Sequence, residues 1–174
     1  MVRRSITVLV AVVASYVFAG AAEAQIDPTL GTWIMNVERS VWTPGPRAPA
    51  DAYQLRQYVA LEDGWYGFLL TGRNNAGNPT LQIGVYRLDE QQHPVHNAGT
   101  LTGLMIDGEP SNLTRSYRVI DENTVEFTPY TDGVPGNPSI RQILADGNTF
   151  ISVTEGTNAA GVEFRNVLVF DRVN

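Results

Sequence analysis

A chain of 174 residues is long enough for one domain with a sizeable core. Its 18 acidic residues outnumber its 12 basic ones, all of them arginine, and no basic cluster overrides that balance; nucleic acid and anionic membrane surfaces are poor partners for such a surface. The absence of cysteine excludes disulfides, thiol catalysis and Cys-ligated metal.

The chain begins like a secretory signal peptide over residues 1–24. Arg3 and Arg4 form a positive start, Ile6 to Ala19 is a mostly apolar run, and Ala22-Glu23-Ala24 places small residues where a signal peptidase cuts. The run is shorter than the roughly 20 residues of a comfortable membrane span. Cleavage is therefore expected near Gln25, with no stable membrane anchor afterwards and a periplasmic or secreted location. Loss of Arg3, Arg4 and Glu23 leaves ten arginines against seventeen carboxylates in residues 25–174, which form a single domain.

After the leader, Asp27-Pro28 can start one helical turn leading to Leu30. Gly31-Thr32-Trp33 then opens the first strand, and Thr43 to Pro49 is a Pro-rich loop. Asp51 to Leu61 is mixed and leads into the turn Glu62-Asp63-Gly64. Trp65 to Gly72 is aromatic and β-prone, Arg73 to Pro79 is a Gly/Asn/Pro turn, and Thr80 to Leu88 puts Leu81, Ile83 and Val85 on one face at period two. A weak strand near Thr100 to Ile106 follows, then Leu113 to Ile120 and Thr124 to Tyr130. Ser139 to Ala145 meets Asn148 to Gly156 across Asp146-Gly147, a strong hairpin signal, and Val162 to Arg172 closes the chain. Thr71 to Pro79 and Thr154 to Val162 share their turn chemistry, which predicts two similar hairpins. About ten short strands, with turns every 8 to 12 residues or so, predict an all-β antiparallel sandwich or barrel.

The two histidines, His93 and His96, sit three apart. That spacing shares a face only in a helix, and Pro94 opposes a helix there. In an extended segment the two rings point to opposite faces. They read as residues of a central loop, and no metal or cofactor is expected. No Gly-x-Ser-x-Gly elbow and no phosphate-binding Gly-rich loop before a helix is present.

Gly31-Thr32-Trp33 resembles the opening motif of lipocalins. The longer stretches Gly31 to Pro46, Asp121 to Phe127 and Gly156 to Arg172 resemble a family of small secreted bacterial lipocalin-like (calycin-type) proteins of uncharacterised function. Members read G-T-W-x-x-N-x-x-x-S, then an aromatic and P-G-P, and end in a G-T-(D/N)-A-x-G hairpin with an aromatic-Asp close. The resemblance spans nearly all of the chain after the leader. It implies an antiparallel lipocalin-like β-barrel of about 8 to 10 strands, and it assigns no catalytic residues. It also implies that Trp33 seals one end beneath an arginine near the C-terminus, Arg165 or Arg172. Two departures stand out. The family is usually lysine-rich, and its Asp-Gly-Lys turn followed by Tyr-Pro-Val-Thr-Gly is replaced here by Asp89 to His96.

A barrel of this class leads to three functional expectations. The first is binding or carrying a small apolar or amphipathic molecule, with Trp42, Trp65, Phe68, Tyr86 and Tyr117 as apolar contacts and Arg115 or Arg165 as a polar anchor. A cavity of roughly 300 Å³ or more with apolar walls would support it. The second is an enzyme using acid–base chemistry, with His96, Glu126 or Glu155 as candidates. The third is a structural envelope protein with a filled barrel. Charged residues inside the strands are otherwise expected on an outward face, in cross-strand ion pairs.

Overall fold

Alternating apolar and polar residues become strands because successive side chains of an extended chain face opposite sides. The structure is a computed structural model that describes residues 26–45, 53–73, 79–98 and 112–173. The expected leader and the weak strand at 100–106 lie outside them. Twelve strands follow in order: β1 (Gly31–Met35), β2 (Val41–Thr43), β3 (Gln54–Ala60), β4 (Tyr66–Arg73), β5 (Pro79–Tyr86), β6 (His93–Ala98), β7 (Leu113–Asp121), β8 (Thr124–Thr131), β9 (Val134–Pro135), β10 (Ser139–Ile143), β11 (Thr149–Thr157) and β12 (Glu163–Arg172). Each pairs antiparallel with its neighbours, and the pairing of β1 with β12 closes a ten-strand barrel. β2 extends β12 beyond β1, and β9 pairs with β8. The all-β barrel expected from the strand spacing and the resemblance is thus the observed fold.

The turns form where Gly, Asn and Asp provide the backbone freedom. At Asp146-Gly147 the glycine adopts φ 66° and the Asp146 carboxylate accepts from the backbone N–H of Asn148 and Thr149 at 2.9 and 2.8 Å. Asn158 does the same before β12, accepting from Ala160 and Val162. Helix is confined, among the described residues, to a single 3₁₀ turn at Glu62–Gly64. Asp27-Pro28 starts a turn, as expected, but it ends at Leu30 without becoming helix.

The core is aromatic. Phe150 stacks on Phe170 at 4.5 Å and meets the edge of Trp33 at 5.2 Å, while Tyr86 stacks on Tyr117 at 4.0 Å. Such pairs add about 0.5–1.5 kcal/mol beyond their buried area. Trp33 is fully buried and donates to the Thr29 carbonyl at 2.8 Å. The guanidinium of Arg172, not Arg165, covers its ring at 4.1 Å. Gly31 makes room for it: a Cβ there would lie 2.5 Å from Arg172 Nη1, and φ is 128°. Glycine in the Gly-x-Trp motif is thus required twice, by backbone conformation and by the arginine.

Two expectations change. His93 to Ala98 is strand β6 and not a loop. Among the described residues its ladder with β5 runs from Val95 to Ala98 and its ladder with β7 covers His93 and Pro94, so Pro94 lies outside the β5 ladder. The apolar face of β5 is also the outer one. Ile83 and Val85 are each 45% exposed, and Gln82, Gly84 and Tyr86 face inward. Ile83 and Val85, with Val59, Leu61, Leu69 and His96, line an open outer groove of about 430 Å³.

Candidate ligand site in the barrel lumen

Residues 27–30 cross the end of the barrel where β1 begins and β12 ends. The Asp27 carboxylate points into the interior and is completely buried. A buried carboxylate needs partners on both oxygens. Thr29 donates from its backbone N–H and hydroxyl to Oδ1 at 2.7 and 2.6 Å. Tyr86 and Arg141 donate to Oδ2 at 2.5 and 3.0 Å. Burial opposes ionisation of Asp27, but the Arg141 charge and the hydroxyls of Thr29 and Tyr86 outweigh it and hold its carboxyl below the usual range. The same pairing overcomes burial at Arg141 and holds its guanidinium charged.

Above this pair the inward positions of β3, β5, β7 and β10 are polar. They carry Gln54, Arg56 and Tyr58, then Gln82, then Arg115 and Tyr117, then Arg141. With Leu70 and Phe127 they enclose a cavity of about 130 Å³. Each guanidinium is fixed against rings. Arg56 sits 4.3 Å from the Phe170 centroid and its Nε donates to Gln54 at 2.7 Å. Arg115 lies between Phe68 and Phe127 at 5.2 and 5.1 Å, and donates to Gln82 at 2.7 Å. Arg141 covers Tyr58 at 4.5 Å. Arginine suits these places because its planar, weakly hydrated cation stacks on rings and stays charged.

Two features remain after this bookkeeping of partners. Buried Nε of Arg141 has no hydrogen-bond partner. Arg56 and Arg115 form no ion pair among the described residues, whereas Arg141 has Asp27. Burial raises the Tyr58 phenol, but the charges of Arg141 and Arg56 outweigh it and bring the group below its ordinary range. Tyr86 and Tyr117 move upward, chiefly through burial.

The residues expected from sequence are divided between the two sides of the wall. Phe68, Tyr86, Arg115 and Tyr117 face inward, and Arg115 and Tyr117 line the cavity. Trp42 is on β2 opposite Asn166, half-buried. Trp65 lies outside the cavity, 5.3 Å from His93 and 4.7 Å from the Arg87 guanidinium. Arg165 and Glu155 pair with one another at 3.2 Å on the exposed surface, and Glu126 pairs outward with Arg118 at 2.8 Å. Those placements follow from the cross-strand partners that each charge finds in water. His96 is on the outer face, while His93 is buried and bonded to Asp89 at 2.8 Å. No group of metal-ligating side chains comes together among the described residues.

Asp27, Arg56, Tyr58 and Arg141 escaped sequence reasoning. Arg141 alternates with residues whose faces are equally mixed, Ile140 and Gln142 against Ser139 and Ile143, so the strand shows no preferred inner side. The one available signal was Arg56-Gln57-Tyr58, which places a cation and an aromatic on one face.

No family model and no curated protein matches the sequence. Solved structures do. Rv2717c from M. tuberculosis superposes with a TM-score of 0.52 at 15% identity, covering 88% of this chain and 99% of that one. The fluorescent protein UnaG superposes with a TM-score of 0.49 at 9% identity, covering 83% of this chain and 97% of UnaG. The likeness to Rv2717c is one of fold, a closed antiparallel β-barrel.

Proposed function

We propose that this protein binds a small amphipathic molecule in the lumen of its barrel. The observation that carries this reading is the enclosed cavity, with an unpartnered Arg141 Nε in its wall. A buried N–H without a partner costs about 1–3 kcal/mol, and a bound polar group relieves that cost. At about 130 Å³ and with largely polar walls, the cavity is smaller and more polar than the apolar cavity of roughly 300 Å³ expected from the sequence, so it takes only a small molecule or the polar end of a longer one. Arginine and amide side chains in its wall favour an amphipathic ligand over a wholly apolar one. Asp27 and Trp33 fill the end of the barrel where β1 begins. The leader-like start of the sequence, with Arg3, Arg4 and the apolar run after them, supports export to the periplasm or beyond.

The test is native mass spectrometry of protein purified from its own host, repeated after partial denaturation. A small molecule that accompanies the folded protein and leaves on unfolding is the expected result. A bare polypeptide mass, together with no perturbation of lumen resonances by any small-molecule probe, refutes the reading.

A further inference from the structure

We infer that the group received by the cavity is an oxyanion, a carboxylate or a phosphate, held between Arg56, Arg115 and Arg141. This rests on the lumen being the binding site proposed above.

The charge count inside the barrel comes first. Three guanidiniums line the cavity, and one carboxylate, Asp27, lies beneath it. Asp27 already accepts four hydrogen bonds, from Thr29 twice, Tyr86 and Arg141. It has no capacity left for Arg56 or Arg115. Their partners are neutral: the amide oxygens of Gln54 and Gln82, each taking one N–H, and the phenol oxygens of Tyr58 for Arg56 and Tyr117 for Arg115. A guanidinium carries five N–H donors, so each retains several. Among the described residues the lumen thus holds two buried or half-buried cations beyond what Asp27 neutralises, inside a chain of net charge −6.

Geometry comes second. Ring contacts with Phe170, Phe68 and Phe127 fix the guanidinium planes, and the amides fix their rotation. An anion entering the cavity therefore meets donors already in place and needs little reordering of side chains. Arg141 adds its unpartnered Nε–H, and the Tyr58 and Tyr117 hydroxyls are in the same wall. Guanidinium forks suit the oxygens of carboxylate and phosphate, with the bonds strengthened by charge and by exclusion of water. A cavity of this size holds such a head group and a few further atoms.

The test compares probes that differ only in charge. Propionate, its neutral isostere propionamide, and inorganic phosphate are each titrated into the purified protein at constant ionic strength set with sodium chloride. Binding is read by thermal shift and by the Arg Nε–H resonances in ¹H–¹⁵N spectra. The expected result is saturable stabilisation by propionate, phosphate or both, with movement of the Arg141 Nε–H resonance and no effect of propionamide. Propionate alone identifies a carboxylate site, and phosphate alone a phosphate site. Arg115→Gln should weaken the binding at least tenfold, while Arg165→Gln on the outer wall leaves it unchanged. If propionamide binds as well as propionate, the lumen is a ligand site but not an anion site, and the inference is overturned while the proposed function stands. If no probe binds and no lumen resonance moves, the inference is overturned, and a bare polypeptide mass in the native spectrum then overturns the proposed function as well. The comparison of probes on unaltered protein decides the matter even where Arg115→Gln does not fold.

Discussion

Replacing Asp27 by Asn removes one charge and keeps the shape of the side chain, yet it should rank among the most damaging single changes in this barrel. The carboxylate is completely buried and its partner Arg141 is 1% exposed, so water cannot replace the lost charge. The Asn carbonyl can still accept from Thr29. Its amide then stands in place of Oδ2, donor against donor with the Arg141 guanidinium 3.0 Å away. Breaking a buried pair by neutralising one partner costs about 3–5 kcal/mol. Set against a typical total of about 5–15 kcal/mol, that removes a large share of the stability. For a domain of this size it lowers Tm by about 6–20 °C. Urea denaturation at pH 7, followed by far-UV circular dichroism, measures the loss. The double variant Asp27→Leu/Arg141→Met sharpens the reasoning, because a buried pair replaced by apolar side chains of similar volume is often neutral or stabilising. It should be more stable than Asp27→Asn alone. A loss below about 1 kcal/mol for Asp27→Asn, the size of an exposed pair, would refute the account of this site, as would a double variant whose loss equals the sum of its two single changes.

Four further outcomes follow from the same structure. The folded Asp27 carboxyl titrates below its unfolded value of about 3.9, so its stabilisation is complete above that pH and disappears as pH falls through the folded value; acid titration of Asp27→Asn should show a shallower loss below about pH 4 than the parent. Asp89 and Asp146, also lowered, keep their share of the acid limb in both proteins. Gly31→Ala places a methyl 2.5 Å from Arg172 Nη1 at a φ unsuited to alanine, and should cost about 1–3 kcal/mol while altering the near-UV spectrum of Trp33. Gly84→Ala brings Cβ within 2.6 Å of the Phe68 ring and should cost about 1–3 kcal/mol, measured by thermal unfolding. Glu155→Gln touches only an exposed pair with Arg165 and should change stability by less than about 1 kcal/mol.

Hairpins were the most legible part of this sequence, because their chemistry is local. Asp146-Gly147 and Asn158 to Gly161 make turns whose side-chain acceptors and positive-φ glycines are written in a few residues. The sense of each strand was less legible. In a barrel whose lumen is polar, alternation no longer tells inside from outside: Leu81, Ile83 and Val85 alternate cleanly, yet Ile83 and Val85 are exposed while Gln82 faces in. Pro94 hid β6, since it lies beyond the residues that pair with β5, Val95 to Ala98, where a proline in mid-ladder would be rejected. Asp27 was the hardest to see. It reads as a turn residue, and its partner is 114 positions away on β10. Only closure of the barrel brings the two together.

The absence of lysine, one of the two departures from the family the sequence resembles, has a physical counterpart inside the barrel. A lysine ammonium is strongly hydrated, offers no plane to stack, and loses its proton readily when buried. Among the described residues each inward arginine rests on a ring: Arg56 on Phe170, Arg115 between Phe68 and Phe127, Arg141 on Tyr58, and Arg172 on Trp33. Such stacking lets the interior keep positive charge without a carboxylate for each arginine. The acidic residues then collect on the outer wall, where Glu126 and Glu155 meet Arg118 and Arg165 in water. The result is a negatively charged protein with a positively charged interior. Its outer surface repels anions, so an anion that reaches the lumen must be bound there by short-range contacts with the fixed guanidiniums, not by long-range attraction to the protein as a whole.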